Sequence, residues 1–198
     1  MDRAPRTRRA VLLGALIAVF GVAPWLYFFR YSYTYPPDTT PEGAYLRVEK
    51  AVRLGRLEEA FPYLETEAQW GCYSTVDYRK KMAALVRASY PEPERGRLLA
   101  RYESPENATG EAYFASEAVR RGWERRLRAD LSGIQSVEIE GERASVQTVR
   151  GTRYPFRRRD NGIWGLTLFT AELKAEATAA ARDFQVIERS ARDYKAAP

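Results

Sequence analysis

Between positions 63 and 78 the sequence sets an acid, Asp77, among the aromatic rings of Tyr63, Trp70, Tyr73 and Tyr78. A carboxyl in an apolar pocket has its pKa raised, and beside a phenol it can move a proton without histidine. Asp77 would then be the acid–base group and Tyr73 or Tyr78 its partner. The competing reading makes the rings core and Asp77 a solvated helix residue, and no spacing here is diagnostic of catalysis. A second set is basic. Arg120, Arg121, Arg125, Arg126 and Arg128 fall on one expected helix, and Arg150, Arg153, Arg157, Arg158 and Arg159 on expected strands. Brought side by side they would suit anionic headgroups or an acidic partner. Apart, they are ordinary solvated faces, partly neutralised by Glu124, Asp130 and Asp160. Cys72 is the sole cysteine and histidine is absent. No internal disulfide can form, and His-based triads and most zinc or copper sites are removed. A thiol with no base reads as a small buried filler. No metal site and no cofactor are expected. Asn107-Ala108-Thr109 fits a glycosylation acceptor, a pattern frequent by chance.

These groups are carried by a chain with a marked beginning. Ala10–Phe29 is free of charge over twenty residues, and as a helix it would span about 30 Å, the thickness of a bilayer core. Arg3, Arg6, Arg8 and Arg9 precede it, which orients a first membrane segment with its N-terminus in the cytoplasm. Trp25, Tyr27, Phe28, Phe29, Tyr31, Tyr33 and Tyr35 follow as an interfacial belt. Cleavage after Gly21-Val22-Ala23 is the alternative; the apolar run continuing to Phe29 argues against it. The expectation is a single-pass bacterial inner-membrane protein: tail 1–9, membrane helix 10–29, tether 30–40 held extended by Pro36-Pro37, and an extracytoplasmic domain. Of the formal charge of +6, the tail and Arg30 hold four, and the remainder is too weakly basic for a nucleic-acid partner.

The remaining chain is long enough for one real core. Thr40-Pro41-Glu42 reads as a capped helix start, and Tyr45, Val48 and Val52 recur at helical spacing up to Gly55. A second helix is expected over Leu57–Leu64, a break at Gly71–Thr75, and a third helix through Tyr78, Met82, Leu85 and Val86 to Pro91. A fourth takes in Leu98, Leu99 and Tyr102. Ser104–Gly110 is loop, and a fifth helix runs from Glu111 to Asp130. The period then changes to two. Val137 and Ile139, then Ala144, Val146 and Thr148, then Tyr154 and Phe156, then Trp164, Leu166 and Leu168 mark four strands of an antiparallel meander. Pro155 places its strand at an edge or a bulge, and Asn161-Gly162 makes the last hairpin turn. Thr170 caps a long last helix. The fold class is α+β, with helices packed on a curved antiparallel sheet over 41–170 and a C-terminal helix over 171–198.

Thr40-Pro41-Glu42, Gly55-Arg56-Leu57-Glu58-Glu59-Ala60 and Asp160-Asn161-Gly162-Ile163-Trp164, in this order of elements, resemble the nuclear transport factor 2-like superfamily over roughly residues 40–169. The resemblance implies a cone-shaped sheet wrapped round a helix, leaving a pocket that serves enzymes in some members and binding or scaffolding in many. It also implies a layout shared with several bacterial members, a membrane helix followed by the domain outside, among them the bitopic assembly component of type IV secretion systems. The functional expectation is a non-catalytic, membrane-anchored binding or scaffold domain of the envelope. The alternatives are a pocket enzyme using an Asp/Tyr pair and a carrier of small apolar ligands. In the last helix Leu173, Ala177, Ala180, Phe184, Ile187, Ala191 and Tyr194 recur at steps of four and three. Such a seam either packs on the protein's own elements or docks an envelope partner or a second copy.

Overall fold

The computed structural model describes Val22, Pro24–Leu26 and Tyr35–Ala196. The expected tail 1–9, nearly all of the membrane segment 10–29 and the tether up to Thr34 lie outside the described residues. Among the described residues no helix is long and apolar enough to cross a membrane. The chain divides into two units, Met1–Pro36 and Pro37–Pro198; every element named below belongs to the second.

Helix α1 spans Pro41–Arg53. The Thr40 hydroxyl accepts from the Gly43 N–H at 3.1 Å and Pro41 fills the first turn, as the capping signal requires. Leu57–Tyr63 is a 3-10 helix rather than an α-helix. Pro62 lacks the N–H that an α-helical interior would use. Helix α2 then runs unbroken over Thr66–Ser89, so the expected break at Gly71–Thr75 is absent. Gly71 serves packing instead: a Cβ there would come within 2.8 Å of the Leu173 carbonyl oxygen. Helix α3 is Glu94–Tyr102, and Pro105–Asn107 forms a single 3-10 turn. The single helix expected over 111–130 is two, α4 (Gly110–Arg120) and α5 (Trp123–Asp130). Between them Gly122 adopts φ +70°, a left-handed conformation that ends α4.

Four strands follow, β1 (Ile134–Glu140), β2 (Arg143–Thr148), β3 (Arg153–Arg158) and β4 (Trp164–Leu166). They form an antiparallel meander in sequence order. Leu168 falls beyond β4, which is shorter than its alternation predicts. Pro155 lies in an interior strand, neither at an edge nor at a bulge, paired with Ser145. Its carbonyl accepts from Thr167 N–H at 3.0 Å. In an antiparallel strand a residue's N–H and C=O point the same way, so the missing donor faces a position that β4 has already left. Helix α6, Thr170–Ala196, completes the fold.

Two hydrophobic clusters hold these elements together. The larger packs α1, the first 3-10 helix, α4 and α5 on the inner sheet face, where Val146, Tyr154, Phe156, Trp164 and Leu166 are buried. The smaller joins the second halves of α2 and α6 with α3, through Met82, Val86, Tyr90, Tyr102, Ile187 and Ala191. Helices α2 and α6 run side by side in the same direction. Lys174 meets Glu67 near their starts, Tyr78 and Phe184 lie 5.7 Å apart midway, and the Tyr90 hydroxyl donates to the Ile187 carbonyl at 3.2 Å near their ends.

Candidate functional surface

The acid and rings singled out in sequence do not converge on a pocket. The Asp77 side chain is 57% exposed and pairs with Lys81 at 2.6 Å, one helical turn on. The Tyr73 hydroxyl donates to Glu111 at 2.9 Å, its ring lying edge-on to Phe61. Tyr78 turns to the smaller core beside Phe184. Partial burial pushes the Tyr63 phenol above its ordinary pKa, opposed by Arg47 and reinforced by Asp38. Trp70 projects into solvent, 69% exposed. Cys72 is fully buried, and burial pushes its thiol up to about 12, with Glu117 and Glu111 adding to the shift. Asn107 is also buried; its amide donates to the Arg101 and Tyr102 carbonyls and its oxygen accepts from Arg79. It cannot serve as a glycan acceptor in the folded domain.

Many of the arginines are spent internally. Arg120 and Arg121 both bind the buried Glu117, and Arg121 also reaches Glu176 of α6. Arg157 pairs with Glu65 at 2.8 Å. Arg159 donates to the Pro62 carbonyl at 2.7 Å and to Thr66 and Gln69. Arg125, Arg126 and Arg158 remain exposed. Arg150, just after β2, donates to the Ala129 carbonyl of α5, whereas Arg157 and Arg159 turn to the start of α2. The seam of α6 is turned to α2 and the cores: Leu173, Ala180, Ile187 and Ala191 are buried, Ala177 and Phe184 half-buried. Tyr194, at its end, stays partly exposed and packs edge-on against Tyr90 at 4.9 Å. The chain's own helices cover most of this stripe.

The interior of the α+β body is filled by rings. Tyr45, Phe61, Tyr113, Phe114, Tyr154, Phe156 and Phe169 are each at most 2% exposed. Trp123 stacks on Phe169 at 4.4 Å. The Tyr45 hydroxyl donates to the Ser132 carbonyl at 2.6 Å and accepts from the Ser132 N–H. Burial raises the Tyr45, Tyr113 and Tyr154 phenols above their ordinary pKa.

A polar junction that the sequence did not announce lies where the first 3-10 helix, α2, β3 and α6 meet. Glu65 is 5% exposed; it accepts from Thr170 at 2.7 Å as well as from Arg157. Thr170 therefore latches α6 to the start of α2 rather than capping its own helix. The Gln69 amide donates to the Phe61 and Leu64 carbonyls at 3.1 and 3.0 Å; the Phe61 carbonyl also accepts the Leu64 N–H at 3.1 Å. The partners of Glu65 are about ninety residues or more distant in sequence, so periodicity carries no trace of this cluster. The Glu67–Lys174 pair, at its rim, separates two open depressions. One, of about 450 Å³, lies between α2 and α6 and includes Trp70, Ser74 and Thr178. The other, of about 630 Å³, runs along β3 past Arg143, Pro155 and Thr167. Among the described residues no group of acids and cysteine is arranged to hold a metal ion. Comparison of the chain with family models, curated proteins and solved structures finds no match.

Proposed function

We propose that this chain is a membrane-anchored binding or scaffold domain of the bacterial envelope, of the nuclear transport factor 2-like type. Residues 10–29 are its inner-membrane anchor, the N-terminus is cytoplasmic and the domain from Pro37 onward is extracytoplasmic. The observation that carries the non-catalytic reading is the filled interior. Seven aromatic rings are buried together in the larger core, against the sheet, the kind of space that a pocket enzyme or a carrier of apolar guests would keep open. Asp77, paired with Lys81 at the surface, supplies no pocketed acid. What remains for recognition is the outer surface, and there the exposed Trp70 and the open depressions flanking Glu67–Lys174 are the features suited to a partner.

Topology is the part most directly tested. Cys72 is buried and cannot report it, so an exposed cysteine is introduced by Arg97→Cys in the full chain. A membrane-impermeant maleimide is expected to label it in intact spheroplasts. Labelling that appears only after lysis reverses the orientation and ends this reading.

A further inference from the structure

Strand β1 ends the sheet on one side and β4 on the other, and the two edges differ. On the β4 side the Glu65 N–H donates to the Leu166 carbonyl at 3.0 Å and Leu64 is bridged to Leu166, so the chain itself closes that edge. On the β1 side no described residue makes a backbone hydrogen bond to the outward groups. Which groups these are follows from the ladder, because successive residues of a strand turn their N–H and C=O to opposite sides. The Glu142 carbonyl and the Thr148 N–H serve the β3 side. Arg143, Ser145 and Gln147 therefore serve β1, where their partners are Glu140, Glu138 and Ser136. Val137 and Ile139, between these, present N–H and C=O to the open side. The irregularity of the strand lies between Ile134 and Ser136, which leaves Ser136–Glu140 without the proline or bulge that blunts an open edge.

The side chains of β1 state what an added strand must offer. Ser136, Glu138 and Glu140 are exposed on the solvated face. Val137 and Ile139 oppose the buried Val146 and Ala144 on the inner face, yet Ile139 is 56% exposed, an apolar side chain left at the rim of the inner layer. Glu138 already takes an arginine from two strands away, Arg153 of β3 at 3.3 Å. Glu140 and, at the turn, Glu142 form no ion pair among the described residues. A strand laid along this edge would set basic side chains beside the acids on the outer face and an apolar one beside Ile139 on the inner face. A second β1 is the poorer occupant, since it would bring Glu138 and Glu140 of both copies on to one face, where like charges repel.

We infer that the outer edge of β1 takes up, by strand addition, an extended segment of a partner protein in which basic and apolar residues alternate. The inference rests on the binding-domain reading above and is independent of the anchor. Backbone hydrogen bonds to Val137 and Ile139 hold the segment, and Glu138, Glu140 and Glu142 select its charge.

The probe is a peptide as long as β1 that alternates arginine with valine, blocked at both ends, fluorescein-labelled and carrying carbon-13 at its carbonyls. Its binding to the full chain in maltoside micelles is read by anisotropy, with empty micelles as blank. The parent chain is expected to bind it, and the amide I band of the bound peptide to fall at the β-sheet position. Ile139→Pro removes an outward N–H without touching the β2 ladder and is expected to weaken binding about tenfold. Glu140→Lys/Glu142→Lys leaves the backbone intact and is expected to weaken binding at least as much and to flatten its salt dependence. A peptide alternating glutamate with valine is expected not to bind; equal binding of the two peptides overturns the charge selection. No binding by the parent chain at about 1 mM peptide, or binding without the sheet band, overturns the inference alone. Binding that either variant leaves unchanged overturns the edge site and spares the binding reading. A parent chain that sediments as a dimer and becomes monomeric with Ile139→Pro has a second copy on the edge, which overturns the basic partner. The membrane topology stands or falls separately, by the maleimide labelling.

Discussion

Trp164 shows what one residue contributes when burial and a hydrogen bond coincide. It is 4% exposed, packs in the main core, and uses its indole N–H to hold the Thr39 carbonyl. Truncation to Ala removes a large buried ring and leaves a cavity, which in cores costs about 3–5 kcal/mol. Trp164→Phe retains most of the ring and loses the hydrogen bond, a net loss of about 1 kcal/mol. Urea unfolding followed by far-UV circular dichroism should rank wild type above Trp164→Phe above Trp164→Ala; equal losses for both would mean that ring volume is irrelevant there. Burial of Trp164 was legible from its alternation with Leu166. Its bond to Thr39 was not, because a side-chain donor's partner 125 residues away leaves no local pattern. The same holds for Glu65. An acid one residue before a helix normally reads as a solvated start; here Arg157 and Thr170 converge on it and keep it buried.

Among the elements, α6 illustrates how one pattern serves two readings. A seam spaced by fours and threes is what a docking helix shows, and also what a helix shows when it packs along a neighbour of its own chain. Gly71 marks where α2 lets α6 approach most closely, since any Cβ there would collide with the Leu173 backbone. Leu173 belongs to the larger core and Ile187 and Ala191 to the smaller. A full chain stopped at Phe169 should therefore lose both clusters together. The expected result is a species without a cooperative thermal transition that binds a hydrophobic dye. A cooperatively folded truncated chain would show that α6 is dispensable and restore it as a docking arm. The 3-10 helix and the division of α4 from α5 belong to the same scale. Each follows from one residue, Pro62 or Gly122, whose local effect outweighed an amphipathic period that continued across it.

For the whole molecule the main consequence of so aromatic an interior is its response to alkali. Cys72, Tyr45, Tyr113 and Tyr154 all have folded-state pKa values above their ordinary 9.0 or 10.0, because burial penalises the thiolate and phenolate. A group raised on folding contributes its stability fully below the unfolded pKa and loses it as pH climbs toward the folded one. For Cys72 that window runs from 9.0 to about 12. The urea midpoint should be flat from neutral pH to about pH 9 and fall above it, since the unfolded state then binds fewer protons. Tyrosinate absorbance from the buried rings should emerge together with unfolding rather than before it. A midpoint unchanged at about pH 11 would contradict the burial of these groups.

By itself the sequence determined what depends on neighbours along the chain: the Thr40 cap, the four-strand alternation, the turn at Gly162, the long last helix, the α+β class, and the uncharged run that motivates an anchor. The tertiary structure alone decided what depends on distant partners. It filled the interior with rings and took Asp77 to the surface. It divided the arginines between Glu117, Glu65 and the Pro62 carbonyl, and it turned the α6 seam onto α2. Backbone preferences and hydrophobic period act over a few residues and can be read directly. Whether a ring closes a pocket, a carboxylate finds a guanidinium or a stripe finds a cover is settled only when segments a hundred residues apart meet.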